Sequence, residues 1–405
     1  MSSNRYAAGQ SSRHRGRHYF ATTGVRPQAM LAEVTRSSMA SSSPHSSPKS
    51  ALRSMAPSLL TLQRYLAHMR VVATAPVRVA DCGGWTDTWF AHHGLVCNIA
   101  AGPGVTVTID HDPLRDRSIT LALPDLNEHY AYAHTPPGRN RFAETAVEHH
   151  APPAGSMHIT ITSAVPAGCG TGTSASVGVA LIGALRALCG EATDPAHIAT
   201  LAHELESVHL GQQSGVQDQW GAALGGALEL TIERYPAVSA RRLDVPLSMW
   251  RALESRLVTV FMGRPHDSSA LHSFIIRDLE GADPTPKLQP LIDAAAQAVK
   301  ALEAGDLMAY GGALTVATEG QRQLHSALIG SDVQRAIDIA QQHDALGWKS
   351  NGAGGEGGTL TVLTGNDPRP LQAAMTTAGC QVLPLICTRQ GLIVESTPTS
   401  GVLHG

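Results

Sequence analysis

The pattern of apolar and polar positions becomes regular from residue 70 onward. Short runs rich in β-branched residues alternate with longer runs of helical periodicity, which predicts a protein that mixes helices and strands. Several of the first strands follow one another with no helix between them, an order that favours a largely antiparallel α+β sheet over a doubly wound parallel one. In the first half we predict strands at 70–80, 95–100, 104–110, 117–122, 157–163 and 227–233, and helices at 174–189 and 195–209.

The second half repeats this mixture after a stretch that carries proline and several arginines, 234–246, which we interpret as the boundary between two domains. The predicted domains are 69–245 and 246–400, and a leader at 1–68 precedes them. In the second domain we predict strands at 256–262, 359–364, 380–387 and 391–395, and helices near 267–279, 286–304, 307–327, 332–345 and 369–378.

The leader differs from the rest of the chain in composition and charge. Residues 1–68 hold nine Lys and Arg against one acid, Glu33, whereas the remaining residues hold 21 basic and 32 acidic ones. Because the leader is too rich in polar residues and proline to bury much surface, we expect it to be disordered. We favour a dispensable tail, or translation that begins at Met69, over an organelle transit peptide.

Composition narrows the class of protein further. With 43% hydrophobic, 16% charged and 4% aromatic residues, the chain fits a globular protein with an aliphatic core. No apolar run reaches the length of a membrane helix, and the acidic body argues against duplex nucleic acid as a partner. Six scattered cysteines without a C-x-x-C pair fit a reducing compartment, so we expect a cytoplasmic protein, whose oligomeric state stays open.

The segment SAVPAGCGTGTSASVGVALIGAL (163–185) joins a predicted strand to a helix through a glycine-rich loop. Gly168, Gly170 and Gly172 remove side chains that would keep an anion from the backbone, and hydroxyl residues follow at the helix start. Because N–H groups at a helix N-terminus bind anions, the segment suits a nucleotide triphosphate. It lacks the lysine of a Walker loop, and a tight turn that uses glycine for positive φ is the alternative.

A second glycine cluster, NGAGGEGGTLTVL (351–363), matches the pattern G-x-G-x-x-G at Gly352, Gly354 and Gly357. The dinucleotide-binding fingerprint opens a helix, whereas a strand follows here, so this match is a false positive. The cluster instead indicates a close approach of two backbones, or of backbone and ligand.

Two further segments each hold an acid among glycines and amides. They are APVRVADCGGWTDTW (75–89) with Asp87, and GQQSGVQDQWGAALGG (211–226) with Asp218. We predict that both acids lie in loops. A carboxylate within hydrogen-bond reach of a sugar hydroxyl can accept its proton, and an Asx turn or a helix cap is the alternative for either residue.

Taken in this order, the segments resemble the three motifs of the GHMP small-molecule kinases, which are matched at 75–87, 165–176 and 349–358. The resemblance implies the two-domain GHMP kinase fold, with an N-terminal ribosomal-protein-S-five-like domain and a C-terminal ferredoxin-like domain. It also implies that ATP and Mg2+ bind in the cleft between the domains, where a phosphoryl group passes to a small-molecule hydroxyl.

The resemblance further implies roles for individual residues. Asp218 is expected to be the catalytic base, and Arg78 to polarise the attacking hydroxyl. Ser174 and Glu206 are the expected Mg2+ ligands. The residues expected to contact substrate are Asp87, Gly84 and Gly352, and those expected to bind the nucleotide are Pro166, Gly168, Gly170, Gly172, Thr173, Ser174, Ser176, Gly354 and Gly355. The segment GRPHDSSALH (263–272) has a counterpart near the substrate pocket of sugar kinases.

GGWTDT together with VQDQWGA is most similar to the subgroup of fucokinase and heptose 7-phosphate kinase, which favours a sugar or sugar-phosphate 1-kinase. Thr171 replaces a common Leu of the phosphate loop, and Glu356 replaces a Gly of the third motif. The charge of Glu356 would repel phosphates unless it points outward or pairs, for example with Lys349. A non-catalytic nucleotide- or sugar-binding protein is therefore one alternative, and a mevalonate- or homoserine-type kinase is another.

Overall fold

Alternating burial along the first strand turns one face of a sheet toward the core. Val71, Ala73 and Ala75 are buried, while the residues between them lie nearer the surface. The computed structural model describes residues 68–152, 154–264, 275–276 and 285–399. The leader apart from its last residue, most of the helix predicted near 267–279, and most of segment 263–272 lie outside the described residues.

The strands, in chain order, are β1 (Met69–Cys82), β2 (Gly94–Asp112), β3 (Ser118–Leu123), β4 (Glu128–Tyr132), β5 (Ser156–Ser163), β6 (Ala227–Arg234), β7 (Ala237–Arg242), β8 (Leu257–Phe261), β9 (Ala345–Ser350), β10 (Thr359–Thr364), β11 (Gln381–Val382), β12 (Ile386–Cys387) and β13 (Ile393–Pro398). The helices are α1 (Arg141–His150), α2 (Thr173–Leu188), α3 (Pro195–Glu204), α4 (Gln217–Leu224), α5 (Leu247–Arg256), α6 (Thr285–Ala304), α7 (Leu307–Leu324), α8 (Ser331–Gln342) and α9 (Arg369–Thr377). A π-helical turn, Leu205–His209, continues α3, and a short 3-10 turn, Ser326–Leu328, follows α7. Within the described ranges, none of the helices has the length and apolar character that a bilayer crossing requires.

The first sheet is built around the long strand β2, which pairs with β1, β5, β6 and β12. Its main path runs β13-β1-β2-β5-β3-β4, and β7 extends the sheet beyond β6. Among the named strands, only β3 and β5 run parallel, so the predicted antiparallel α+β architecture is confirmed. The late strand β13 pairs with β1, which brings residues 69–74 beside residues 393–398.

Helix α2 packs across the apolar face of this sheet. Its predicted stripe is confirmed, because Val179, Leu181 and Leu185 are fully buried in one core with residues of β1, β2 and β5. Each such side chain contributes roughly 1.5–3 kcal/mol on burial. The packing fixes α2 firmly, so its first residue, Thr173, has a defined place at one end of the sheet.

The second sheet is antiparallel and has the strand order β11-β8-β10-β9. Helices α6 and α7 connect it to the first sheet, because alanines on both helices share one core with residues of β1 and β2. The approach of α7 to β9 is so close that a Cβ at Gly347 would lie 1.8 Å from the carbonyl oxygen of Gly311. As a result, the glycine-rich segment after β9 lies beside β1, where the Asn351 side chain accepts a hydrogen bond from the Ala80 N–H at 3.0 Å.

Some elements differ from the prediction. The stretch 234–246 contains β7, which forms a hairpin with β6, because Val238 and Ala240 alternate with polar residues and pack on the apolar face of β6. The strands predicted at 95–100 and 104–110 form the single strand β2. Five further elements had not been predicted, namely β4, α1, α4, α5 and β9. The division into domains near residue 245 stays a prediction.

Candidate active site

A cleft of about 290 Å³ opens where the loop before α2 meets α4 and the segment that follows β9. All three motif segments contribute to its walls. The predicted site residues that line it are Arg78, Asp87, Gly168, Gly170, Gly172, Thr173, Ser174, Glu206, Asp218 and Gly352. A larger, shallower depression of about 750 Å³ lies beside Asp110 and His158 and holds none of these residues, so the smaller cleft is the candidate active site.

The loop before α2 leaves the first turn of that helix without a side-chain cap. Gly168, Gly170 and Gly172 all have positive φ, at 69°, 83° and 72°, a conformation that glycine adopts without strain. Gly172 occupies the N-cap position and has no side chain to bond the first N–H groups. Because Thr173 and Ser174 line the cleft, these N–H groups and the positive end of the helix dipole lie at its wall. Such an arrangement binds phosphate.

Arg78 and Asp218 form an ion pair at the cleft, with 2.8 Å between Nε and Oδ1. The Arg78 side chain is 4% exposed and that of Asp218 is 30% exposed, so the carboxylate is the partner that a ligand can reach. Burial lowers the pKa of Arg78, but the neighbouring Asp218 and Asp81 outweigh burial and hold it above its ordinary value. The guanidinium also donates to the carbonyl of Gly170, which ties it to the glycine-rich loop before α2.

Asp218 lies on the first turn of α4, so the predicted loop at this residue is wrong. The hydrogen bond that caps α4 comes from a distant part of the chain, since the Asp87 carboxylate accepts from the Gln217 N–H at 3.0 Å. Gly215 makes this contact possible, because a Cβ there would lie 2.3 Å from Asp87 Oδ2. Asp87 itself lies in a turn, as predicted, and both caps the helix and lines the cleft.

Glu206 lies in the π-helical turn, with its Oε1 atom 3.4 Å from the Ser174 hydroxyl. Its other oxygen accepts from the Ser214 hydroxyl at 2.6 Å and from the Gln219 amide at 2.8 Å. Burial raises the pKa of Glu206 to about 7, and the bond from Ser214 opposes that shift.

The oxygens around Glu206 fit a hard cation. Asp218, a second acid, is a charged neighbour that raises the pKa of Glu206 further. Two buried or half-buried carboxylates beside a hydroxyl form the donor set that Mg2+ prefers. Ser174 and Glu206 are therefore the residues that would hold the ion.

Gln217 is a lining residue of the cleft, and its side chain carries a buried, unpaired acceptor. Its side chain is 6% exposed, and its Oε1 atom has no hydrogen-bond partner among the described residues. Asp87 lies beside it, and burial raises the pKa of Asp87 to about 6. Gly84, expected to contact substrate, lies behind Gln217 instead, since a Cβ there would come within 3.1 Å of the Gln217 amide nitrogen.

Four residues expected at the nucleotide are placed elsewhere by the structure. The Ser176 hydroxyl is buried and donates to the carbonyl of Pro76 at 2.7 Å. Pro166 is half-buried in the loop, outside the described cleft lining. Gly354 and Gly355 contact the 3-10 turn, where the Gly355 N–H donates to the carbonyl of Leu328 at 2.7 Å. Their glycine character serves close packing of two backbones, which was the alternative interpretation of this cluster.

Glu356 points away from the cleft and does not pair with Lys349. It forms an ion pair with Arg264 and accepts from the N–H of Ser331, at the start of α8, at 2.9 Å. Lys349 is buried and faces Asp81 instead, with 3.7 Å between Nζ and Oδ1. The expected repulsion of phosphates is thus avoided, because Glu356 caps a helix outside the cleft.

Some cleft residues were missed by the sequence analysis. They are Trp85, Thr88, Ala175, Gln212, Gln213, Ser214, Gly215, Gln217 and Ala353. The run QQSGVQDQ carries the signal that could have found most of them, because so many amides in one short segment are costly to bury unless ligands or each other satisfy them.

The mixed α+β fold, the uncapped glycine loop and the acid-lined cleft are features that the resemblance to small-molecule kinases implies. A family model for the GHMP kinases N terminal domain matches residues 140–226, a range that includes the glycine loop, α2, α3 and α4. The resemblance drawn from the three motifs is thereby confirmed: the chain carries a GHMP kinase N-terminal domain and has the GHMP kinase fold.

Individual relatives divide between two kinds of substrate. The mevalonate kinase of Pyrococcus furiosus is 25% identical over 361 residues, which cover 81% of this chain and 99% of that protein. The L-fucokinase/L-fucose-1-P guanylyltransferase of Bacteroides fragilis is 26% identical over 341 residues, 73% of this chain but 34% of that longer protein. A crystal structure of a D-glycero-D-manno-heptose 1-phosphate kinase from Bacteroides thetaiotaomicron has a TM-score of 0.64 and 20% identity, and covers 80% of this chain and 98% of that one.

Proposed function

We propose that this protein transfers the γ-phosphoryl group of ATP, with Mg2+, to a hydroxyl of a sugar or sugar phosphate, at or near the anomeric carbon. The observation that carries the proposal is the Arg78–Asp218 pair, which lies in one cleft with the uncapped start of α2 and the Ser174–Glu206 pair. Phosphoryl transfer depends mostly on positioning and charge neutralisation, and this cleft supplies both next to a base.

Each group has a distinct task in this reaction. The N–H groups of the loop and of the first turn of α2 would bind the phosphates, and Ser174 and Glu206 would hold Mg2+, which would supply charge neutralisation at the transferred group. Asp218 accepts the proton of the attacking hydroxyl, and it is within reach because it is the exposed member of its ion pair. Arg78 stays charged throughout and fixes the Asp218 carboxylate through its Nε–H.

The polar groups on the substrate side favour a hydroxyl-rich acceptor. Asp87 and the unpaired Gln217 Oε1 both accept hydrogen bonds, so they match O–H donors. A substrate carboxylate, as in mevalonate, would instead need a cation. Among the described lining residues, Arg78 is the cation, and it is already paired with Asp218.

A mevalonate-type kinase is the second candidate, because mevalonate kinases are among the relatives with the longest shared coverage. The non-catalytic alternative was motivated by Glu356. Because Glu356 pairs with Arg264 and caps α8 outside the cleft, its charge gives little support to a non-catalytic protein.

The test is a screen of Mg2+-dependent ATP consumption with fucose, galactose, heptose 7-phosphate, glucuronate and mevalonate as acceptors. We expect turnover with a sugar, and a loss of about 10²–10⁴-fold in kcat for Asp218→Asn, with nucleotide binding retained. Turnover with mevalonate alone would establish the second candidate. Tight ATP binding without consumption on any acceptor would indicate a binding protein, and wild-type rates in Asp218→Asn would refute the assigned base.

A further inference from the structure

Behind the cleft lies a group of buried charges that the proposed reaction does not use. Asp81 on β1 is 0% exposed and Lys349 on β9 is 1% exposed, so the two sheets meet at a buried ion pair. Neither residue lines the described cleft. A buried pair of this kind is expensive to form, and removal of one partner leaves an uncompensated charge.

The pair belongs to a closed ring of contacts around one residue, Gly352. The Gly352 N–H donates to the Asp81 carboxylate at 3.1 Å, and the Gly352 carbonyl accepts from the Gln321 amide at 2.9 Å. The oxygen of that amide accepts from Lys349 Nζ at 3.0 Å, and Lys349 completes the ring at Asp81. Both polar groups of Gly352 are therefore held by side chains, Asp81 of β1 and Gln321 of α7, which Lys349 of β9 links to each other.

The ring holds Gly352 close to the glycine-rich loop before α2. Gly352 has a φ of 65°, and a Cβ at this position would lie 2.8 Å from the carbonyl oxygen of Gly170. The same carbonyl accepts from the Arg78 guanidinium. Gly352, Gly170 and Arg78 thus meet at one point of the cleft wall.

The ring also acts directly on Arg78. Asp81 Oδ1 lies 3.9 Å from Arg78 Nη1, so one buried carboxylate is shared by Lys349 and Arg78. The opposite side of the guanidinium contacts Asp218 through Nε. Arg78 therefore lies between two carboxylates, and its position depends on both of them.

We propose that Asp81 and Lys349, together with Gln321, are positioning residues that clamp Gly352 against the phosphate loop and hold Arg78 in place beside Asp218. This inference deepens the proposed kinase function and rests on it for the kinetic test. Through these contacts, the position of the Arg78–Asp218 pair depends on the position of the second sheet.

The kinetic test compares Asp81→Asn, Lys349→Met and the double variant Asp81→Asn/Lys349→Met. For Asp81→Asn we expect a lower unfolding temperature and a fall in kcat on the order of 10²-fold, with the KM for ATP changed by less than about threefold. The double variant removes both buried charges, so its stability should recover largely while its kcat stays low. If Asp81→Asn fails to fold, the double variant still decides the question.

A matched control is Glu144→Gln, which also neutralises a buried carboxylate but lies far from the cleft, where it accepts from Tyr130 at 2.7 Å. It should lower stability and leave kcat unchanged. If kcat returns to the wild-type value in the double variant, or falls no further in Asp81→Asn than in Glu144→Gln, the pair is only structural and the proposal is refuted.

A second measurement needs no substrate. Amide hydrogen exchange at Gly352 should be slow in the wild type and at least about tenfold faster in Asp81→Ala, because the acceptor of this N–H is lost. Equal exchange in the two proteins would overturn the clamp. If exchange changes as expected but the wild type phosphorylates no acceptor, the clamp stands and the kinase proposal falls.

Discussion

Residues 165–176 and 351–358 both combine glycines of positive φ with the end of a strand. In the first segment, Gly172 leaves the first turn of α2 without a side-chain cap, and the loop lines the cleft. In the second, the N–H groups of Gly355 and Gly357 are bonded within the chain, to the Leu328 carbonyl and to the Asp332 carboxylate. The two segments therefore differ in whether their backbone N–H groups are bonded within the chain, and the spacing of the glycines does not reveal this difference.

The two segments should also differ in how their residues affect the stability of the free protein. Residues that serve a ligand leave groups unpaired or charges buried in the free protein, which costs stability, whereas residues that serve packing contribute stability. Substitutions in the first group should reduce activity more than stability, and substitutions in the second group should do the reverse.

The largest effect is expected for Gly172→Ala. The new Cβ would lie 3.0 Å from Asp218 Cγ, at a φ of 72° that side chains rarely adopt. Because the base would have to move, kcat should fall by about 10²-fold or more, while the free energy of unfolding falls by only about 1–3 kcal/mol. Steady-state kinetics and urea unfolding measure the two quantities, and an unchanged kcat would show that the position of Asp218 is not critical.

Gly354→Ala should show the opposite balance. Its Cβ would lie 2.3 Å from the Leu328 carbonyl oxygen, so the two backbones must separate. We expect the free energy of unfolding to fall by about 2–4 kcal/mol, while the KM for ATP of the folded enzyme changes by less than about threefold. If the variant had normal stability but bound ATP more weakly, Gly354 would be a nucleotide-binding residue after all.

The Asp87→Asn variant should be more stable than the wild type above pH 7 but should bind the sugar less tightly. Burial raises the pKa of Asp87 from its ordinary 3.8 to about 6, so the folded state holds this proton more tightly than the unfolded state. Ionisation of Asp87 therefore costs stability as the pH rises from about 4 through 6, and above pH 7 the variant should be more stable by about 1–3 kcal/mol.

That gain should vanish below about pH 4, where Asp87 is protonated in both states, and the KM for the sugar should rise about tenfold because a charged acceptor is lost. Urea unfolding across this pH range is the measurement. A variant that is less stable than the wild type at pH 8 would show that the cap on α4 outweighs the burial of the charge.

The smallest effect is expected for Glu356→Gln. The side chain of Glu356 is 49% exposed in its ion pair with Arg264, so the loss should cost no more than about 1 kcal/mol of stability. ATP affinity should not change, since Glu356 faces α8. Tighter ATP binding in the variant would mean that its charge does act on the phosphates.

The sequence predicted the features that depend on local pattern. The stripe of α2 and the glycine loop before it follow from such patterns, whereas the meeting of Arg78, Ser174 and Asp218 in one cleft was implied by the resemblance to the GHMP kinases. Periodicity and motif spacing are properties of neighbouring residues, so a single sequence contains them.

What the sequence could not predict depends on partners far along the chain. Asp218 was assigned to a loop because α4 has no cap of its own, and its cap is Asp87, 130 residues away. The resemblance implied that Gly354 binds the nucleotide, and nothing near it in the sequence indicates that Leu328 packs against it. Likewise, the partner of Glu356 is Arg264, 92 residues before it.

The pairing of β1 with β13 affects how the protein is made. On the ribosome, β1 emerges more than 300 residues ahead of the strand that covers its edge at Val71–Thr74. Until β13 has been synthesised, that edge offers free backbone groups to other nascent chains. Closure of this edge must therefore wait until nearly the whole chain has been made, although β1 can pair with β2 much earlier.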